Sequence, residues 1–231
     1  MIHPERYTCL ACGREIFDGG RFCADCEKAA PYIGGDFCAR CGRKTVTFTE
    51  VCDNCKNTVL NFEFARSVFT YEGIAVKMIG KFKFGGAPYM GEEFAELIAD
   101  KVIGSGIACD VVTYVPMTRR EKRKRGYNQS EKIAAALGKI LGVEVKPLAE
   151  KVKETPRQVG LSGKARKENL EGAFAVKKRK EVRGKRVILV DDVMTTGATV
   201  NNVAARLKGA GAKSVYVFTV ASAVPPRIGI L

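Results

Sequence analysis

Four C-x-x-C pairs constrain the fold of this chain more strongly than any other feature of its sequence. The eight thiols are Cys9, Cys12, Cys23, Cys26, Cys38, Cys41, Cys52 and Cys55. A shift of 29 residues superposes the first two pairs on the last two, with Cys9 on Cys38 and Cys26 on Cys55, so the segment is an internal repeat. The match extends to Cys12-Gly13-Arg14 and Cys41-Gly42-Arg43, where the glycine is expected to supply the unusual backbone angles of a metal-binding knuckle.

Each repeat carries four soft thiolates at the spacing of a tetrahedral structural zinc site. A disulfide framework is the competing interpretation, but regular C-x-x-C pairs favour metal, and iron–sulfur ligation is the smaller rival. The spacing leaves open whether each repeat closes its own site or the pairs interleave, although a duplication favours self-contained sites and about two zinc ions per chain. Residues 1–60 hold too few apolar side chains for a core, so we predict a small zinc-ribbon module in which metal replaces one.

The positive charge of the chain is concentrated in one segment. The chain has 231 residues and a formal charge of +14, from 39 Lys and Arg against 25 Asp and Glu. Residues 119–186 hold 22 of the cations and 8 of the acids, a difference of +14. This concentration indicates a phosphate-rich ligand there, with nucleic acid as a compatible second partner.

The composition excludes a membrane-spanning chain and long disorder. Hydrophobic residues make up 46% of the chain, as in globular proteins, and no stretch approaches the ~20 apolar residues of a membrane span. Residues 1–8 include Glu5 and Arg6 and lack the apolar stretch of a signal peptide, so we expect a cytoplasmic protein.

From residue 61 onward, apolar strands alternate with amphipathic helices. Strands are predicted at 64–71, 110–116, 174–177, 186–190 and 214–220, and helices at 91–103, 130–141 and 198–208. This alternation predicts an α/β fold with a mostly parallel sheet, whose ligands bind beyond the carboxyl ends of the strands.

One predicted strand end carries two carboxylates followed by a threonine-rich turn, in the string from Val187 to Thr199. Backbone N–H groups at the start of the following helix, with the hydroxyls of Thr195, Thr196 and Thr199, are suited to cradle a phosphate. Asp191 and Asp192 are suited to bind sugar hydroxyls and to assist Mg²⁺. Helix capping is the simpler alternative for the two acids.

A second predicted strand end, at residues 115–116, is followed by a basic loop with six cations in residues 119–125. A solvated face and a nucleic-acid strip are the plainer interpretations. The position of the loop between a buried strand and a helix favours phosphate binding by guanidinium groups.

The string at 187–199 resembles the 5-phosphoribosyl 1-pyrophosphate (PRPP) signature of type I phosphoribosyltransferases. With the cysteine pairs, Lys81-Phe82-Lys83-Phe84-Gly85-Gly86 and Arg125-Gly126-Tyr127-Asn128-Gln129, the chain is identified as a member of the ComF (ComFC) competence family. This resemblance covers nearly the whole chain. It implies a type I phosphoribosyltransferase fold over residues 61–231, a variable hood at 61–108 and a mobile loop at 151–172, where a plain surface linker is an equal alternative.

The resemblance also implies site residues. It places PRPP, with Mg²⁺, at Asp191, Asp192, Val193, Met194, Thr195, Thr196, Gly197, Ala198 and Thr199. It places the pyrophosphate loop at Met117, Thr118, Arg119, Arg120, Arg125 and Gly126, and possible contacts of the hood with a base at Lys81 and Lys83. It implies a role in natural transformation, with single-stranded DNA and a helicase-like partner; the alternatives are an active transferase with an unidentified acceptor base and a PRPP-sensing regulator.

Several other residues have simpler interpretations. The aromatic residues of the hood could stack on a base, but core packing is the preferred interpretation for Tyr71, Phe82, Phe84 and Tyr89. Cys109 is expected to be a small core residue rather than a nucleophile, and His3 is assigned no role.

Overall fold

The computed structural model describes residues 8–153 and 172–224. Its main sheet has four strands in the order β1-β6-β5-β2, all paired in parallel. The strands of this sheet are β1 (Phe64–Thr70), β2 (Val111–Tyr114), β5 (Arg186–Met194) and β6 (Ser214–Ser222). A separate antiparallel ribbon pairs β3 (Glu150–Lys151) with β4 (Phe174–Ala175). The predicted parallel α/β architecture is confirmed, although the strand predicted at 174–177 is short and belongs to the small ribbon.

The helices predicted at 91–103, 130–141 and 198–208 are confirmed to within one residue, and residues 8–153 and 172–224 contain five further helices that were not predicted. In chain order, the helices are α1 (Ala24–Lys28), α2 (Asp53–Lys56), α3 (Gly73–Phe84), α4 (Met90–Gly104), α5 (Arg119–Arg125), α6 (Gln129–Leu141), α7 (Arg179–Val182) and α8 (Ala198–Gly209). Helix α3 was not predicted, since its apolar and charged residues alternate weakly between faces. Within the segment assigned to the hood, β1 joins the main sheet, whereas α3 leads toward the predicted PRPP site.

Helices cover both faces of the main sheet at strand β5. Ile188 and Val190 pack with α3, α4 and α6, whereas Val187 and Leu189 pack with α8. All four side chains are fully buried. A nearly continuous apolar run is what a parallel strand covered on both faces requires.

The cysteine-rich segment straddles the β1 edge of the sheet. The first repeat contributes Cys9 and Phe22 to the hydrophobic cluster on one face, and the second contributes Cys38 and Cys41 to the cluster on the other. Between the repeats, Tyr32 forms an antiparallel bridge with β1, and the Ile33 N–H donates to Val68 O at 2.9 Å. The two repeats therefore pack against the sheet and cover an edge that would otherwise expose unpaired backbone groups.

The prediction that residues 119–125 form a loop is wrong, because these residues form helix α5. Thr118 begins the helix as a capping box: Glu121 N–H donates to Thr118 Oγ1 at 3.1 Å, and Thr118 N–H donates to Glu121 Oε2 at 2.7 Å. Such caps satisfy backbone donors that otherwise lack partners, which offsets the repulsion among the six cations.

Among residues 8–153 and 172–224, no helix combines the length and the apolar character needed to cross a bilayer. Most of the segment predicted as a mobile loop, at 154–171, lies outside the described residues, as does His3.

Candidate functional site

The eight paired cysteines form two separate tetrads. Within each tetrad the four sulfur atoms all lie within 4.8 Å of one another. The contacts between pairs include Cys12 Sγ to Cys23 Sγ at 3.8 Å and the equivalent Cys41 Sγ to Cys52 Sγ at 3.7 Å. The prediction that each repeat closes its own site is confirmed, and interleaving of the pairs is excluded.

The electrostatics of the thiols fit a bound dication. Burial alone would raise the pKa of Cys9, but backbone N–H donors of Cys12, Cys23 and Ala11 outweigh it and lower the pKa to about 6. In the same tetrad, burial and the neighbouring sulfurs raise the pKa of Cys26 to about 12. One thiolate thus forms readily, and a cation is needed to hold all four thiolates together, as Zn²⁺ does in structural sites.

The glycine of each knuckle has the predicted left-handed conformation. Gly13 has a φ of +77° and Gly42 a φ of +67°. A side chain at Gly13 would meet no atom within 4 Å, whereas a Cβ at Gly42 would lie 2.2 Å from Ala65 O of β1. The second knuckle therefore requires glycine both for its turn and for its close packing on the sheet.

The end of β5 brings two carboxylates into a largely buried site. Asp191 and Asp192 are each 9% exposed. Ser130, at the start of α6, donates its hydroxyl to Asp191 Oδ1 at 2.9 Å, and the Asp192 N–H donates to the same oxygen at 2.9 Å. Lys83 Nζ, at the end of α3, lies 3.0 Å from Asp192 Oδ1. Three elements therefore meet at the acidic pair.

Burial controls the protonation of this pair. Burial first, and then the charge of Asp192, raise the pKa of Asp191 to about 7, while the hydrogen bond from Ser130 and the charge of Lys83 act in the opposite direction. With so little solvent, Asp191 favours its protonated form, and it binds hydroxyl donors or a cation more strongly once ionised.

The threonine-rich turn after β5 leads into α8. Gly197 precedes the helix in a left-handed conformation, with a φ of +83°. The Ala198 N–H donates to Thr196 Oγ1 at 3.3 Å. The turn and Asp191 line a pocket of about 10 Å³, the size of one water molecule, so a phosphate group would sit at its mouth. Backbone N–H groups at a helix N-terminus favour an anion in that position.

The end of β2 lies at the same edge of the sheet. Asn128 Nδ2 donates to Val115 O at 3.0 Å, and Asn128 Oδ1 caps α6 by accepting from the Ser130 N–H at 3.0 Å. The predicted pyrophosphate residues Arg119 and Gly126 line an open cleft of about 460 Å³ together with Lys122 and Arg123. Met117 and Thr118 form the extended connection that precedes α5.

Lys81 and Lys83, the two lysines of α3 that were predicted to contact a base, differ in position, as do the aromatic residues beside them. Lys83 reaches the acidic pair, whereas Lys81 is exposed to solvent. Phe82 is fully buried, as predicted, and its carbonyl accepts a hydrogen bond from Tyr127 Oη. Phe84 is 79% exposed, so its predicted core role is wrong; its ring lies 5.3 Å from the Arg125 guanidinium carbon.

Other aromatic and cysteine predictions have mixed outcomes. Tyr89 is 56% exposed and is also not a core residue, because it precedes α4 at the surface. Tyr71 is partly buried and packs against the core. Cys109 also packs there, and its thiol donates to Val111 O at 3.2 Å.

Two residues that contact this site were not predicted to belong to it. Ser130 contacts Asp191, and Arg43 of the second zinc knuckle donates a hydrogen bond to the carbonyl of Thr195 in the threonine-rich turn. The position of Ser130, two residues after the capping residue Asn128, could have indicated that its side chain lies at the start of α6 and near the site. No local pattern places Arg43 beside a segment 152 residues away.

Comparisons with known proteins agree with this arrangement. The phosphoribosyl transferase domain family matches residues 88–225, and the double zinc ribbon domain family matches residues 1–56. Competence protein F of Haemophilus influenzae is 27% identical over an alignment of 231 positions, which covers 96% of this chain and all of the relative. Competence protein ComFC of Streptococcus pneumoniae is 29% identical, with 91% of this chain and 98% of the relative covered.

A third relative is the DNA utilization protein YhgH of Salmonella typhimurium, which is 29% identical over 187 residues and covers 78% of this chain and 82% of the relative. The two cysteine tetrads coincide with the double zinc ribbon match and are structural zinc sites. The acidic pair and the threonine-rich turn lie within the phosphoribosyl transferase match. The chain therefore belongs to the phosphoribosyl transferase domain family, carries a double zinc ribbon, and is similar over most of its length to competence proteins F and ComFC.

Proposed function

We propose that this protein binds PRPP as its Mg²⁺ complex and acts in the handling of DNA during natural transformation. The observation that carries the proposal is the unit formed by β5, the threonine-rich turn and α8. It presents two buried carboxylates and the N-terminus of a twelve-residue helix at one edge of the sheet. A ribose and a phosphate need these two kinds of group side by side.

Each part of PRPP has a matching group in the proposal. Asp191 and Asp192 bind the ribose hydroxyls, and the turn at 195–199 binds the 5′-phosphate. The cations of α5 bind the diphosphate through their guanidinium groups rather than through the end of so short a helix. The diphosphate oxygens and the ribose hydroxyls would supply the oxygen ligands that Mg²⁺ prefers.

Lys83 holds the acidic pair ready for the ligand. In the free protein its ammonium group compensates part of the negative charge at 3.0 Å from Asp192. Ribose hydroxyls that donate to Asp192 would take over this compensation, which would allow the lysine to turn toward the diphosphate. This exchange costs less than desolvating an unpaired carboxylate.

The DNA part of the proposal rests on the names of the relatives and on charge. Relatives are called competence and DNA utilization proteins. Helix α5 exposes Arg119, Lys122, Arg123 and Lys124. Such a row of cations attracts the phosphates of single-stranded DNA, and a helicase-like protein is the partner expected beside it. Thiolates that hold zinc instead of forming disulfides fit a reducing, cytoplasmic setting.

Calorimetric titration with PRPP and Mg²⁺ tests the ligand. Asp191→Asn combined with Asp192→Asn should weaken binding by at least about tenfold, because the ribose hydroxyls lose two carboxyl partners. Asp100→Asn, at an exposed position of α4, is the matched control and should bind as the wild type does. No measurable binding by the wild type would overturn the proposal.

Salt dependence tests the DNA interface. Charge removal at Arg123 and Lys124 should weaken single-stranded DNA binding and reduce the slope of log affinity against log salt by about 0.7 per lost contact. Equal DNA affinity and an unchanged slope would contradict an interface on α5. The same variant should retain its zinc content, which shows that the protein is folded.

A further inference from the structure

The duplicated arginine of the zinc knuckles has two different environments. Arg14 and Arg43 are equivalent under the shift of 29 residues. Arg14 Nη1 donates to Asp25 Oδ2 at 2.8 Å, and these side chains are 65% and 75% exposed. Arg43 is only 9% exposed, and its guanidinium donates to the carbonyl of Thr195. One copy thus forms a surface ion pair, whereas the other reaches the proposed phosphate-binding turn.

A single difference between the repeats accounts for the missing ion pair of Arg43. The residue equivalent to Asp25 is Asn54, whose amide is neutral. Within the described ranges 8–153 and 172–224, no ion pair joins Arg43 to a carboxylate, and its Nε is buried without a hydrogen-bond partner. A buried guanidinium that has no carboxylate partner and an unpaired Nε can gain from an anion that binds nearby.

The hydrogen bond from Arg43 also orients the turn. A trans peptide unit directs its C=O and N–H groups to opposite sides. With the Thr195 carbonyl held toward Arg43, the Thr196 N–H is directed away from it, where it can donate to a phosphate. The positive charge behind this peptide strengthens the attraction for a dianion.

We infer that Arg43 is a positioning residue through which the second zinc site and the phosphate-binding turn are coupled. This inference rests on the proposed binding of PRPP. Zinc at the second tetrad holds the knuckle that carries Arg43, Arg43 holds the Thr195–Thr196 peptide, and this peptide binds the 5′-phosphate. Because coupling between two binding equilibria is reciprocal, the phosphate ligand must stabilise the second zinc site by the same factor.

The first test compares the two arginines. Arg43→Met keeps the apolar length of the side chain and removes the charge, and Arg14→Met is its matched control in the first repeat. Arg43→Met should weaken binding of PRPP with Mg²⁺, and of ribose 5-phosphate alone, by about 10- to 100-fold. Arg14→Met should leave both affinities unchanged. Equal affinities of the wild type and Arg43→Met, at full zinc content, would overturn the inference and leave the proposed function standing.

The second test measures the reciprocal effect on zinc. Release of zinc to a chromogenic chelator is followed in the full-length wild type with and without ribose 5-phosphate, which avoids the metal-binding diphosphate. The ligand should slow release of one of the two zinc ions by about fivefold or more in the wild type and in Arg14→Met. It should have no effect in Arg43→Met, and Arg43→Lys should recover part of the effect.

The outcomes of the two tests separate the inference from the proposed function. If the wild type binds the ligand but its rate of zinc release does not change, the coupling would be overturned. A wild type that binds neither ligand would overturn the proposed function, and the inference with it. If Arg43→Met fails to fold, Arg43→Lys and the release rates of the wild type still decide the question.

Discussion

Lys83→Met is the substitution that tests the electrostatics of the acidic pair most directly. Lys83 Nζ lies 3.0 Å from Asp192 Oδ1, with side chains 20% and 12% exposed. A cation within ~4–6 Å lowers the pKa of a carboxyl group by about 1 to 3, and each such step corresponds to about 1.4 kcal/mol. The charge of Lys83 lowers the pKa of Asp191, so loss of the ammonium group should lower the free energy of unfolding by about 1–4 kcal/mol where Asp191 is ionised.

The effect should depend on pH in a defined direction. Because burial raises the pKa of Asp191 from 3.8 to about 7, the folded protein keeps a proton that the unfolded chain loses. Stability contributed by this group therefore falls as the pH rises between these values. Without Lys83 the pKa rises further, so the additional loss of stability appears mainly above pH 7.

Urea unfolding of the zinc-loaded protein at about pH 6 and about pH 8.5 measures the difference. Lys81→Met is the matched control, because Lys81 is on the same helix and exposed. Relative to this control, Lys83→Met should be less stable by about 1–4 kcal/mol at the higher pH and by much less at the lower pH. An equal loss at both pH values would refute the electrostatic argument and indicate lost packing instead.

Three further predictions concern the zinc module and the sheet. Gly42→Ala should lower the free energy of unfolding by about 2–5 kcal/mol, because the new Cβ would clash with Ala65 O in addition to the strain of the left-handed backbone. Gly13→Ala has only the strain and should cost about 1–2 kcal/mol. Thermal unfolding compares the two variants, and equal losses of stability would contradict the close packing of Gly42 on the sheet. Asp110→Asn should lower the melting temperature at pH 7, because Arg186 holds the pKa of Asp110 well below its usual range and the pair is fully charged there. This variant should retain PRPP affinity, since the pair lies at the opposite edge of the sheet. Metal analysis should give about two zinc ions per chain; one or none would disprove two sites.

Local patterns predicted the elements whose causes are local. The apolar run at 186–190 and the amphipathic spacing at 198–208 give β5 and α8, because strands and helices repeat with fixed periods. The meeting of two thiols within each C-x-x-C knuckle follows from spacing as well, whereas the assembly of two knuckles into one tetrad was decided by the structure. Helix α5 was predicted as a loop because its charges dominate the pattern, although its capping box, Thr118 with Glu121, is visible in the sequence.

The aromatic residues show the limit of such patterns. Phe82 and Phe84 are two positions apart on α3, yet one is fully buried and the other is 79% exposed. Residues two apart on a helix face different directions, and only the position of the helix against the sheet decides which direction is inward.

The sequence by itself determined which chemical groups this protein has: two sets of four thiols, two adjacent carboxylates before a threonine-rich turn, and a concentrated positive charge. The tertiary structure alone decided which of these groups meet. Arg14 and Arg43 follow identical Cys-Gly pairs, yet one ends in solvent and the other beneath the turn at Thr195. The reason is that the two repeats pack on opposite faces of the sheet, and contacts between residues far apart in the chain depend on packing rather than on local pattern.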